Sequence, residues 1–170
     1  ASTDAVQREK ILRLCIGGSA DYYLNAFAKI DRGKSSFNLT ALFISPLILL
    51  YRQQFDYWKK MCLPWIVFFM LSNTLSQLGM VTFDLELISI ASILSFVSIA
   101  YGIVVAFLVA RNFNRKYKES LEKFIEEKRK SADETVWKDR QPSMKYPLGF
   151  IAIIVVYNIL ILALLGSMLL

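Results

Sequence analysis

The chain has 170 residues, 55% of them apolar and 14% aromatic, with 20 Lys and Arg against 14 Asp and Glu. A mean hydropathy of +0.43 sets it apart from soluble domains, which are about 45–50% apolar. His is absent, which removes the commonest general base and metal ligand, and Cys15 and Cys62 have no CxxC spacing, so no metal site, cofactor or disulfide framework is expected.

Ala1-Ser2-Thr3 reads as a start from which an initiator Met has been removed, and no apolar signal-peptide core comes after it. Residues 3–16 and 19–32 are predicted as two short amphipathic helices. Asp4 with Gln7 forms a capping-box pattern for the first, whose apolar side is Val6, Ile11, Leu14 and Cys15. Gly17-Gly18 separates the two; without a following Lys-Ser/Thr it is a hinge and not a phosphate loop. Ser19 is the expected cap of the second helix, Tyr23, Phe27 and Ile30 its apolar stripe, and Gly33 its C′ residue.

Phe37 to Tyr51 is apolar but short, and it contains Pro46. A perpendicular span needs about 20 residues, and basic residues flank this segment on both sides. It is therefore expected to be a re-entrant or interfacial hairpin broken near Ser45-Pro46, joined to the first span by a basic link through residue 60. Met61 to Phe83 is that first predicted span, with Pro64 in its first turn and Trp65 at the interface. Leu87 to Ala110 is the second. Residues 111–146 come next as a basic helix, carrying i, i+4 pairs Glu119–Lys123 and Glu126–Lys130, and then a polar linker from Ser131 to Met144. Pro147 to Leu170 is the third span. The expected organisation is thus 1–36, 37–60, 61–110, 111–146 and 147–170, an all-α polytopic membrane protein.

Charge placement predicts orientation. Residues 1–36 carry six basic groups, 52–60 three and 111–146 eleven, which accounts for all 20, while the connection 84–86 carries none. All three basic blocks are then expected in the cytoplasm, with the N-terminus inside and the C-terminus outside. A pI near 9.3 is explained by this topology, and no separate basic stripe with interleaved aromatics points to nucleic acid.

Three features are candidates for function. Ala91, Ser95, Ser98, Gly102, Ala106 and Ala110 line up as small residues on the second span, a surface on which another helix packs closely, from this chain or another. Ser72, Asn73, Ser76, Gln77 and Asn158 are intramembrane polar groups, either interhelical glue or part of a permeation or ligand path. Phe113, Tyr117, Leu121 and Phe124 share one side of the basic helix, against headgroups, against a partner, or as a solvated extension of the span. Asp84 and Glu86 read as solvated topology markers and not as an acid/base pair.

The segment from Ile16 to Arg52 also resembles the bacterial membrane proteins grouped as domain of unknown function 2628. Ile16-Gly17, Ala20-Asp21-Tyr22-Tyr23-Leu24 and Phe27 match that family's opening pattern. Ser36-Phe37-Asn38, Ala41, Phe43, Pro46 and Leu49-Leu50-Tyr51-Arg52 match its continuation. Leu39 and Ile48 stand where the family has Trp, and Ser45 where it has Gly. The resemblance covers about a quarter of the chain and implies a bacterial inner-membrane location, with no activity attached. Two functions are compatible with these features: a non-enzymatic accessory or structural subunit, packing against other membrane subunits or its own copies, or a small transport or lipid-perturbing protein. An enzyme has little here to work with.

Overall fold

The computed structural model describes residues 3–128 and 134–167, with side chains from residue 5 onward. All its regular structure is helical: α1 (Thr3–Ile16), α2 (Ala20–Asp31), α3 (Leu39–Phe43), α4 (Ser45–Tyr51), α5 (Phe55–Met61), α6 (Leu63–Thr82), α7 (Leu85–Glu127), α8 (Glu134–Lys138) and α9 (Lys145–Ser167). Helices α6, α7 and α9 are long and apolar enough to cross a membrane.

Helices α6 and α7 form an antiparallel hairpin. Pro64 sits in the first turn of α6, where its missing N–H costs nothing. At the far end Phe83 takes a left-handed φ of 54° and Asp84 caps α7, its carboxylate accepting from the Glu86 and Leu87 amides at 2.9 and 3.1 Å. Asp84 and Glu86 are both solvent-exposed, as expected, and Asp84 in addition caps α7 while Glu86 lies in its first turn.

The hairpin ends in a polar head built from α1, α2, α8 and the C-terminal half of α7. Chain direction in the head is set by glycine at two points. Gly33 (φ +72°) closes α2 with a Schellman pair, the Gly33 amide donating to Ile30 and the Lys34 amide to Lys29. Gly17 (φ +74°) opens a 3-10 turn into α2. Ser19 precedes α2 as expected, but its side chain makes no capping bond; the Ala20 amide is satisfied by the Gly17 carbonyl of the 3-10 turn. The proposed Asp4 cap falls outside the described side chains. Val6, expected on the buried side of α1, is 63% exposed.

The segment 37–51 is broken as its short length and proline predict. Its two short helices are separated at Ile44 (φ −126°, ψ 36°), and Pro46 begins the second. Both ends contact α7 within about two turns of each other, between Ala110 and Tyr117. Asn38 donates through its backbone to Ala110 and through its side chain to Asn114, at 2.9 and 3.0 Å, and Arg52 reaches Tyr117. Three helical residues, roughly 4.5 Å of rise, separate Asn114 from Tyr117. The segment therefore leaves the head and returns to it. Its bend, Phe43 to Leu47, lines a space shared with α6 and α9.

Two elements have no counterpart in the sequence reading. Residues 55–61, read as a basic link, form α5, and the polar linker contains α8, whose Trp137 is 4% exposed and packs edge-on to Phe124. Of the two expected ion pairs on α7, Glu119 instead binds Arg115 and Lys116, which lie one turn earlier, at 3.1 and 2.6 Å. Lys130 lies outside the described residues.

Candidate functional site

Three sets of residues gather the polar and close-packed groups. The first is the α6–α7 contact. Ser72 Oγ donates to the Ala91 carbonyl at 2.9 Å and lies 2.6 Å from Ser95 Oγ. Gly102 faces the Trp65 indole: a Cβ there would stand 2.7 Å from Nε1. Ala110 is fully buried under the start of α3, whose Asn38 amide it accepts. Ala91 and Ser98 are also buried, while Ser95, Gly102 and Ala106 are half-buried. Much of the small-residue stripe is therefore taken up by the chain's own hairpin and re-entrant segment. Trp65, expected at the interface as a belt residue, is the side chain that fills the space opposite Gly102.

The second set joins α6 to α9. Asn73 donates to the Asn158 side chain at 3.0 Å, and the Thr74 and Tyr157 hydroxyls are hydrogen-bonded to each other. Tyr157 also donates to the Met70 carbonyl at 3.0 Å. Thr74 and Tyr157 complete this seam although periodicity alone did not single them out. Ser76 contributes no hydrogen bond among the described residues, and Gln77 Oε1 is buried without a partner. Beside the seam lies an apolar cavity of about 340 Å³ between the 43–47 bend, α6 and α9. Asn73, Tyr157 and Asn158 are the polar part of its wall. Interhelical hydrogen bonds in membranes average about 0.6 kcal/mol each, so this seam contributes modestly to holding α9 against α6.

The third set is in the head. Arg52 is 4% exposed and has no carboxylate partner among the described residues. Its Nη1 donates to the Ile16 carbonyl at 2.9 Å, and its guanidinium lies 4.5 Å from the Tyr23 ring centre, 5.4 Å from Tyr51 and 5.5 Å from Tyr117. A planar, weakly hydrated cation is the one basic group suited to such an aromatic cage. Tyr23, Phe27, Phe113 and Tyr117 stack around it with centroid separations of 5.0 to 6.4 Å. Burial raises the Tyr23 hydroxyl pKa, partly offset by the Arg52 charge. The aromatic side of the basic helix is thus covered by α1, α2 and α8, which replaces both the headgroup and the solvated readings of Phe113, Tyr117 and Leu121.

Residues of the N-terminal motif converge on this cage. Tyr23, Tyr51 and Arg52 build it, and Asn38 caps α3 by accepting from the Ala41 amide while bonding Asn114. Asp21 pairs with Arg13 on the surface, Tyr22 stands edge-on to Tyr23, and Phe37 packs on Phe107. Phe43 and Pro46 instead face the membrane cavity. Asn114, fully buried, is the anchor that the sequence reading missed; its only signal was an amide set among the aromatics of α7.

The chemistry available is limited. No cluster of three metal-ligating side chains exists among the described residues. The Cys15 thiol is fully buried, and burial pushes its pKa up to about 11, so it is protonated at neutral pH. No family model, curated protein or solved structure matches the chain. What the geometry defines is a class: an all-α polytopic membrane protein with three spanning helices, a broken hairpin beside them and a helical head fixed to one end.

Proposed function

We propose that the protein is a non-enzymatic accessory or structural subunit of a bacterial inner-membrane complex, acting through helix packing, with its head in the cytoplasm. The observation that carries this reading is the situation of α9. It is held through Asn73–Asn158 and Thr74–Tyr157 on one side, while Ile153, Leu160 and Leu164 are 65%, 57% and 63% exposed. That outward face, and not the small-residue stripe, is the surface left for another membrane helix or for lipid. The charge pattern supports the orientation, because the hairpin end at Phe83-Asp84 carries no basic residue while the head carries many. The resemblance of residues 16–52 to the family named above supports the location.

A second reading, a small transport or lipid-perturbing protein, is favoured by the 340 Å³ cavity at the membrane-side bend. Purification in mild detergent separates the two. Stoichiometric recovery with a larger complex, lost when Ile153 and Leu160 become Ala, supports the subunit reading. Recovery of the chain alone, with solute flux or lipid scrambling in liposomes, replaces it by the second.

A further inference from the structure

A second cavity, of about 790 Å³, lies outside the three sets described above. It runs between α5 and one face of α7 where the spans meet the head. Met61 and Leu108 form its membrane end, and Lys60, Lys116, Lys123 and Arg140 bring four cations to its wall. Arg140 is held in place by donating to the Gln53 carbonyl at 2.7 Å and to the Ser120 hydroxyl, while its Nε has no partner among the described residues. Lys60 has no ion pair among the described residues, while Lys123 lies 3.8 Å from the Glu127 carboxylate on the exposed surface of α7. Two carboxylates also line the space, but Glu119 is already bound to Arg115 and Lys116, and Asp56 is solvent-exposed.

Gln54 separates this cavity from an ordinary basic surface. Gln54 is part of the wall and is 4% exposed, yet its Nε2 has no acceptor among the described residues. A buried amide donor without an acceptor is costly, and native structures rarely leave one. A turn of the Gln54 amide into the cavity would bring this donor to an acceptor-rich anion there. The neighbouring cations set that anion's charge, and the apolar end at Met61 and Leu108 sets its position relative to the bilayer.

We propose that the cavity between α5 and α7 binds an anionic phosphate ester through Gln54, Lys60, Lys123 and Arg140. A glycerophospholipid headgroup reaching in from the head-side leaflet and a soluble phosphate share this chemistry. The site goes beyond the subunit reading and does not depend on it, since it uses no surface assigned to another helix.

The test uses the full chain in mild detergent with phosphatidylcholine and a minority of phosphatidylglycerol, the bound lipid being counted by native mass spectrometry. Wild type is expected to retain phosphatidylglycerol in preference to phosphatidylcholine. The double variant Lys60→Gln/Lys123→Gln should lose that retention by roughly thirtyfold, as removing two near-surface cations predicts. Lys29→Gln/Lys59→Gln removes the same charge outside the cavity and should retain the lipid. All four lysines are exposed, so thermal unfolding without added anion should match wild type for both variants. A parallel arm measures thermal stabilisation by inorganic phosphate alone. Stabilisation of wild type but not of the cavity variant, without lipid retention, assigns the site to a soluble phosphate. Equal loss of lipid in both double variants, or no discrimination in either arm, overturns the site.

Discussion

Arg52 lies over the Tyr23 ring at 4.5 Å while its Nη1 donates to the Ile16 carbonyl at 2.9 Å, so one side chain from the re-entrant segment joins α1, α2 and α7. A hydrogen bond from a charged donor contributes about 1.5–3 kcal/mol, and a desolvated cation–π contact about 2 kcal/mol. Desolvation of the cation offsets part of this. Arg52→Ala is expected to destabilise the head by about 3 kcal/mol, read as a lower midpoint in thermal unfolding of the purified protein. Arg52→Lys keeps the charge without the planar fork and should recover less than half of the loss. Unfolding of Arg52→Ala at the wild-type midpoint would remove the cage as a stabilising element.

Gly102 and Trp65 make the second prediction. A Leu at 102 must displace the indole, at an overpacking cost of about 1–3 kcal/mol. Val104, 53% exposed on the same helix, should accept Leu with little effect. Because the stripe packs within this chain, the readout is the stability of the α6–α7 hairpin to denaturing detergent. Equal stability of the two variants would show that the Trp65 contact is loose.

The Asn73–Asn158 bond, at 3.0 Å, is expected to give a coupling of about 0.6 kcal/mol in a double-mutant cycle with Asn73→Leu and Asn158→Leu. Strictly additive losses would mean that the two side chains do not interact in the membrane.

Cys15 offers a reporter of head opening. Its folded thiol stays protonated up to about 11, whereas in the unfolded chain it ionises near 9.0. The contribution of this group to stability is therefore complete below pH 9.0 and lost as pH rises through about 11. In a Cys62→Ser background, maleimide at neutral pH should leave the folded protein unmodified and label it fully after denaturation. Rapid labelling of the folded protein would contradict the burial of Cys15.

The spans and the broken hairpin were legible because both derive from local quantities: run length, hydropathy and the position of Pro46. Gly33 was legible for a similar reason, since a C′ glycine is a one-residue signal. The head was not. Phe113, Tyr117 and Leu121 announced an apolar side on α7 without saying what covers it, because α1, α2 and α8 arrive from distant parts of the chain. Trp137 was the trace of that cover, a large aromatic in an otherwise polar stretch. Arg52 was counted as one of the charges that mark topology, although its aromatic neighbours make it a core residue. The small-residue stripe marked a surface open to close approach without saying what approaches it, and the fold places Trp65 and Ser72 there.

Helix α7 runs unbroken for 43 residues, so the membrane-crossing part and the head share one rod. The stretch from Ala110 to Glu127 extends about 25 Å beyond the apolar part. A tilt of roughly 10°, well within the range that spanning helices adopt as bilayer thickness changes, carries its end about 4 Å sideways. Arg52, Asn38 and Asn114 fasten α1 to α4 to this rod, so the head turns with it instead of lagging behind on a flexible joint. The spans and the polar helices therefore share a single axis, and the orientation of one fixes the orientation of the other.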